Sequence, residues 1–125
     1  MAKAKVLTDR VSITSDVFTD ENLERIKLIA PSILELRDEA DLGTLLYQVT
    51  DSEYNTFTVN GAAFKNGKTI CTLSDAIMNL DEEVRERKIK LFLSAVLTKL
   101  NILETTATEY LKNAVDLSDD IDFLD

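Results

Sequence analysis

Few side chains in this sequence can do chemistry near neutral pH, and they lie in two places. The 125 residues include no histidine and one cysteine, Cys71. Histidine is the commonest general base and metal ligand at this pH, so triads of the Ser-His-Asp or Cys-His type and His-containing zinc sites are excluded. Cys71 lies in the run KTICTL, whereas a reactive thiol needs an exposed, electropositive position. We therefore expect that Cys71 is a buried structural thiol. We also expect that the protein is not an enzyme and binds no cofactor and no metal ion.

The second place is the acidic stretch DLSDDIDFLD, residues 116–125. It contains five aspartates and no basic residue, and so contributes −5 to the formal net charge of −9. Charges interleaved with bulky apolar groups suit recognition, because the charges steer toward a basic rim and the apolar groups fill a pocket. We predict a flexible tail that binds a protein partner or docks on its own chain, following a single domain of residues 1–115. The predicted partner-binding residues are Asp119, Asp120, Ile121, Asp122, Phe123 and Leu124.

This tail resembles in a general way the acidic, Phe-bearing tips of bacterial single-stranded DNA-binding proteins, which recruit replication and repair enzymes. Those tips end in Pro-Phe with a free carboxylate, whereas here Leu124 and Asp125 follow Phe123 and no proline is present. The function of those tips is therefore not carried over to this chain. A disordered end that only aids solubility is the alternative reading.

The charge balance argues against direct binding of nucleic acid. There are 14 basic and 23 acidic side chains, and binding to a phosphate backbone needs a concentrated positive footprint. The one basic cluster in the sequence, RERKIK at residues 85–90, has glutamates three and four positions upstream, the spacing of ion pairs on a helix. We interpret it as a solvated helix face or as a docking place for the acidic tail.

Composition and length favour one globular domain in the cytoplasm. The chain is 45% hydrophobic and 30% charged, which is typical of a folded protein. Its first residues lack the apolar core of a signal peptide, and its apolar runs are far shorter than the roughly 20 residues of a membrane-spanning helix. We expect a cytoplasmic protein of a bacterial cell, or of a host cell if a phage encodes it.

The first third of the chain predicts a strand pair and a helix. Two β-branched runs, at residues 6–8 and 11–14, flank Asp9 and Arg10, and they predict a strand or a strand pair. Apolar residues at helical spacing then follow a capping Thr19 or Asp20, and Pro31 closes the pattern, which predicts a helix at about residues 20–30.

The middle of the chain predicts a succession of short strands. SILELRD, TLLYQVT, NTFTV, GAAFK and KTICTL are short runs of branched or aromatic residues separated by turn formers. Asn66 and Gly67 both tolerate positive φ and predict a type I′ turn between the last two runs. The residues expected to be buried here are Ile33, Leu36, Leu45, Leu46, Tyr47, Val49, Phe57, Val59, Phe64, Ile70 and Leu73.

The last third predicts a long amphipathic helix over residues 82–103. Its apolar residues recur at intervals of three and four, and the apolar face is wider than one sheet needs, which favours contact with a second subunit. The sequence TATE at residues 106–109 matches a capping box that starts a second helix, unless the first helix continues through it. The predicted oligomer interface is Leu91, Phe92, Ala95 and Val96.

Together these elements predict an α+β fold, a small and mainly antiparallel sheet built from N-terminal and middle strands with one short helix, followed by a helical C-terminal third. The predicted function is that of a small non-enzymatic protein acting through protein–protein contacts, as a homo-oligomer with an unknown protein partner and no membrane. The alternative is an acidic inhibitor of the phage type that blocks the nucleic-acid groove of an enzyme. A DNA mimic should spread carboxylates along one surface, and outside the tail this chain is thinly charged.

Overall fold

The computed structural model confirms the α+β class. It describes the backbone of residues 1–34, 40–51 and 61–124, and the side chains of these residues apart from 40–43, 46 and 114–124. No helix within the described residues is long and apolar enough to cross a bilayer. The elements in chain order are β1 (Lys3–Val6), β2 (Arg10–Thr14), α1 (Asp20–Ile29), a 3-10 turn (Pro31–Leu34), α2 (Ala40–Thr50), a second 3-10 turn (Gly61–Ala63), β3 (Lys68–Thr72), α3 (Asp75–Met78) and α4 (Glu82–Leu124).

Among the described residues, the sheet has three antiparallel strands in the order β1-β2-β3. The N-terminal region forms a strand pair, one of the two predicted alternatives. The boundary of β1 differs from the prediction, since β1 ends at Val6, where the predicted run begins, and pairs Lys3 with Thr14 and Val6 with Val11. Side chains alternate between the two faces of a strand. One face of the sheet carries the fully buried Val11 and Ile13 and packs on the core. The other face is mainly polar and exposed, apart from the buried Ser12 and the apolar Ile70.

The predicted turn at Asn66 and Gly67 is confirmed. Both residues have positive φ, 53° and 73°, and Lys65 and Lys68 exchange backbone hydrogen bonds of 2.9 and 3.0 Å across them. Positive φ at both central positions defines the type I′ turn. The Gly67 carbonyl also accepts from the Ser15 amide at 2.8 Å, so this turn holds the start of β3 against the end of β2.

The strand predicted at TLLYQVT is wrong, since these residues form the second half of α2. An alternating pattern would bury Leu45, Tyr47 and Val49 together. Instead Val49 is fully buried and Leu45 is half-buried while Tyr47 is 59% exposed, which is the i, i+4 period of a helix. Packing of α2 on α4 therefore overrides the local β propensity of the run.

The outcome differs among the other runs that were predicted to be strands in the middle of the chain. KTICTL contains β3, as predicted, whereas GAAFK forms a 3-10 turn and SILELRD begins with one. The run NTFTV lies outside the described residues, as do Leu36, Phe57, Val59 and the side chain of Leu46. Of the residues expected in the core, Val49, Phe64 and Leu73 are buried and Ile33 and Leu45 are half-buried, while Tyr47 and Ile70 are exposed.

The C-terminal helix α4 passes through the predicted capping box without a break. The hydroxyls of Thr105, Thr106 and Thr108 donate to carbonyls four residues earlier at 2.8–3.1 Å, so none of them caps a new helix start. One face of α4 supplies much of the core, with Phe92, Val96, Leu100, Leu103 and Ala107 all at most 2% exposed.

A buried carboxylate fastens β1 to α4. Glu104 is 4% exposed. Its Oε1 accepts the Ala2 amide at 2.6 Å, and its Oε2 accepts the Ser15 hydroxyl at 2.7 Å. The Ser15 oxygen in turn accepts the amides of Val17 and Phe18 at 3.1 and 3.0 Å. This buried network fixes where the N-terminal hairpin lies along the helix.

Candidate protein-binding edge of the sheet

The outer edge of β1 carries backbone groups that no other described strand pairs with. Leu7 donates its amide to the Arg10 carbonyl at 2.8 Å, and alternate residues of an antiparallel strand point their amide and carbonyl groups the same way. Lys3 and Lys5 therefore direct these groups toward β2, and Ala4 and Val6 direct them toward the free edge. Such an edge is a template for pairing with a further strand.

The outer face of the sheet is basic along β1. Lys3 and Lys5 are exposed there, Lys3 is in register with Thr14, and Thr14 is in register with Lys68 on β3. The two β1 lysines lie about 7 Å apart along the strand, and Lys3 and Lys68 lie about 10 Å apart across it. Among the described strand residues, no acidic side chain shares this face.

Arg10 adds a fourth cation to this face, but it has a partner. Its Nε donates to Asp9 Oδ1 at 3.0 Å, and the hydrogen bond and charge of Arg10 lower the pKa of the Asp9 carboxyl below its ordinary value. Both side chains are about half exposed, at 47% and 56%, so water screens the pair. Lys3, Lys5 and Lys68 are thus the cations of this face that lie outside an ion pair in the described part of the chain.

The other side of β1 borders an apolar groove. Val6, half exposed, faces Ile89 and Leu93 of α4 across a groove of about 580 Å³. Four charged side chains of α4 complete its lining, Glu83, Glu86, Arg87 and Lys90. A groove with an apolar floor and charged walls accepts a bulky apolar side chain while leaving polar groups at the opening.

The free edge, the lysines and the groove together define what could bind here. A strand added to β1 would direct one set of alternate side chains over Lys3 and Lys5 and the other set toward the groove, because side chains alternate across a strand. Main-chain hydrogen bonds to Ala4 and Val6 would supply affinity, and the alternate side chains would supply specificity. The edge therefore fits an extended segment in which acidic and apolar residues alternate.

The structure places the predicted oligomer-interface residues on different faces of α4. Phe92 and Val96 are fully buried in the core of the single chain, so they are not available to a second folded copy, and including them in the interface was wrong. Leu91 is 57% exposed and Ala95 is half-buried. Leu91 lies on the side of the helix away from the core, where a second subunit could reach it, whereas Ala95 also packs against the core.

The predicted partner-binding residues lie where α4 is described by its backbone alone. For Asp119, Asp120, Ile121, Asp122, Phe123 and Leu124 the side chains are outside the described residues, as is Asp125 altogether. Their role stays a prediction. The basic cluster at residues 85–90, by contrast, is described, and its Arg87 and Lys90 line the groove beside β1.

Sequence reasoning missed the basic face, because the lysines that form it are distant in the chain. Lys3 and Lys5 in KAKV and Lys68 in KTICT each stand at alternate positions of a strand. That alternation places them on the polar face of their own strands. Only the pairing of β1 with β2 and of β2 with β3 brings them to the same side of one sheet.

The prediction of a buried thiol is confirmed. Cys71 is 4% exposed on the core face of β3, and burial raises the pKa of its thiol from 9.0 to about 12. At neutral pH the thiol is therefore protonated and shielded, whereas nucleophilic cysteines are exposed thiolates.

The chain matches no protein-family model, no curated protein and no solved structure. Within the part of the chain whose side chains are described, no three Cys, Asp or Glu side chains are grouped so as to hold a metal ion. Function is therefore inferred from the geometry of the sheet edge.

Proposed function

We propose that this is a small non-enzymatic cytoplasmic protein that acts through protein–protein contacts, by adding an extended segment of another protein to the free edge of β1. The observation that carries the proposal is a combination of three features at that edge. The backbone groups of Ala4 and Val6 pair with no described strand, lysines lie on one side and an apolar groove lies on the other. Strand addition of this kind reads alternate side chains in separate pockets.

The ligand class follows from the two sides of the strand. The Cβ atoms of acidic residues at alternate positions would lie about 5 Å from those of Lys3 and Lys5, the distance of directly opposite cross-strand pairs, within reach for an ion pair. Apolar side chains between them would enter the groove beside Val6. The sequence Asp120–Phe123, DIDF, alternates in this way. Its backbone is helical at the end of α4, so as part of the chain it would have to leave the helix to pair with the edge.

A protein segment suits this surface better than a nucleic acid. Proteins that bind single strands stack bases on exposed aromatic side chains, and the described strands of this sheet carry no aromatic residue. The net charge of −9 also repels a long polyanion. The acidic-inhibitor alternative stays a prediction, without a described surface that favours it.

The test is a titration of a fluorescently labelled peptide of residues 114–125 with the full-length protein, followed by anisotropy. To keep the edge free, the protein carries Ile121→Asp and Phe123→Asp in its own tail. We expect a dissociation constant of about 10–100 μM, the range of weak, transient contacts. In the same background, Lys3→Glu with Lys5→Glu should weaken binding at least tenfold, because attraction of the acidic side chains at both lysine positions becomes repulsion.

The matched control is Lys27→Glu with Lys112→Glu, which changes the net charge equally at two exposed positions away from the edge. Control binding should equal that of the tail-substituted parent. A second control peptide keeps the composition of residues 114–125 but scrambles their order. Equal binding of the scrambled peptide, equal loss in the control variant, or preference for a labelled single-stranded oligonucleotide would each overturn the proposal.

A further inference from the structure

The outer side of α4, away from the core, carries a stripe without charged residues. Leu91, Ala95, Thr98, Ile102 and Thr105 follow one another at intervals of four and three, which is the spacing of a coiled-coil seam. Leu91 and Ile102 are 57% and 51% exposed. The stripe is about 21 Å long, at 1.5 Å per residue, and we call it the α4 seam.

The polar atoms of the α4 seam are already satisfied within the helix. The hydroxyl of Thr98 donates to the Ser94 carbonyl at 2.8 Å, and that of Thr105 donates to the Asn101 carbonyl at 3.0 Å. A partner packed on the seam would therefore leave neither hydroxyl donor unpaired, which removes the main cost of covering them. Small side chains at Ala95 and Thr98 also allow close approach of a second backbone.

The two ends of the α4 seam carry charges of opposite sign. Arg87 continues the stripe one turn before Leu91, and Glu109 continues it one turn after Thr105. Both side chains are exposed and make no ion pair with the described residues of their own chain. They lie about 33 Å apart along the helix, so they cannot neutralise each other within one chain.

We propose that two copies of this chain associate through the α4 seam as an antiparallel pair. A two-fold axis at Thr98 brings Arg87 of one copy beside Glu109 of the other, at both ends of the contact. A parallel pair would instead bring Arg87 beside Arg87. The charges thus select the antiparallel arrangement, in the way that flanking charges set orientation in coiled coils.

The strength of the pair follows from the composition of the α4 seam. Two large apolar residues per copy and a seam of about 21 Å fall short of a standard stable interface. Lys99 borders the seam, and its stem can cover apolar surface. A dimer that forms in the micromolar range is therefore expected.

In the same register, the last turn of α4 whose side chains are described lies near the groove of the other copy. With the axis at Thr98, residue Asn113 of one copy lies at the level of Glu83 of the other, and Glu83 lines the groove beside β1. Each tail would then start next to the binding edge of its partner. This last step rests on the proposed function, whereas the pairing of the α4 seam does not.

The test is sedimentation equilibrium of the full-length protein from about 1 to 300 μM, a range that brackets micromolar association. The unchanged protein should move from monomer to dimer across it. Arg87→Glu alone or Glu109→Arg alone should weaken association at least tenfold, and the two together should restore it. Lys27→Glu, which makes the same change of net charge at an exposed position of α1 outside the seam and the groove, should leave association unchanged.

A monomer at all concentrations, or a dimer indifferent to both single changes, would overturn the proposal. So would a double variant that is no better than the single ones. All three positions are exposed, so the substitutions should leave the fold intact. Circular dichroism of each variant checks this. Arg87 also lines the groove, so the sedimentation series is repeated with Ile121→Asp and Phe123→Asp in the tail. Dimer formation in that background separates pairing of the α4 seam from binding at the β1 edge.

Discussion

Replacing Glu104 by glutamine should cost far more stability than the loss of one surface charge. The carboxylate accepts two hydrogen bonds, from the Ala2 amide and the Ser15 hydroxyl. An amide has one acceptor, so in either orientation its NH2 group would face one of these donors. The Ser15 oxygen already accepts the amides of Val17 and Phe18, which leaves its own proton with no other use.

The expected loss is therefore one hydrogen bond to a charged group in a buried site, about 2 kcal/mol. The entropy of unfolding of a 125-residue domain is about 0.26 kcal/mol/K, so the Tm should fall by about 8 °C. The assay is urea unfolding followed by far-ultraviolet circular dichroism, with a thermal scan beside it. Glu24→Gln, at an exposed position of α1, is the control and should change stability by less than about 0.5 kcal/mol.

A loss below about 0.5 kcal/mol for Glu104→Gln would refute the reasoning. It would mean that the Ala2 amide and the Ser15 hydroxyl find other acceptors or water in the folded protein. Hydrogen exchange then locates the effect: when the network holds β1 as described, the amides of the β1–β2 hairpin lose protection in Glu104→Gln more than those of α1.

Two further predictions concern β3 and the turn before it. At pH 8 a disulfide reagent should modify native Cys71 about 1,000-fold more slowly than the unfolded chain, because raising the pKa from 9.0 to about 12 removes most of the thiolate. Equal labelling rates of the native and unfolded protein would contradict the burial of Cys71. The raised pKa also makes the native state hold the thiol proton more tightly than the unfolded chain does. The resulting contribution to the free energy of unfolding is full below pH 9 and is lost progressively as the pH rises toward 12. Gly67→Ala should destabilise by about 2 kcal/mol or more, since φ is +73° and the added Cβ would lie 2.7 Å from the Ser15 carbonyl oxygen. Asn66→Gly, at φ 53°, is the comparison in urea unfolding and should lose clearly less.

The parts of the fold that could be predicted from sequence are those with a strong local cause. The Asn66-Gly67 turn follows from backbone sterics, and α1 ends before Pro31 because proline restricts the residue that precedes it. The first turns of α4 follow from a long apolar period. In each case a few neighbouring residues determine the outcome without help from the rest of the chain.

The parts that could not be predicted depend on contacts between distant residues. The run that contains Leu45, Tyr47 and Val49 has both β propensity and a helical spacing, and only packing against α4 decides between them. Ile70 was expected in the core because it is apolar, yet its partner in the register is Ser12 on the polar face. The binding edge escaped prediction for the same reason, since it needs the order and register of three strands.

The bond between Ala2 and Glu104 joins residues 102 positions apart in the chain. The β1–β2 hairpin that Ala2 begins is local and can pair early, but a two-stranded hairpin is marginally stable by itself. The hairpin becomes stable only when the part of α4 that contains Glu104 has packed against it, which closes a long loop of the chain. The edge that we propose as a binding site is therefore a product of complete folding: chains still in the course of folding, or cleaved before Glu104, would not display it in a form that a partner could use.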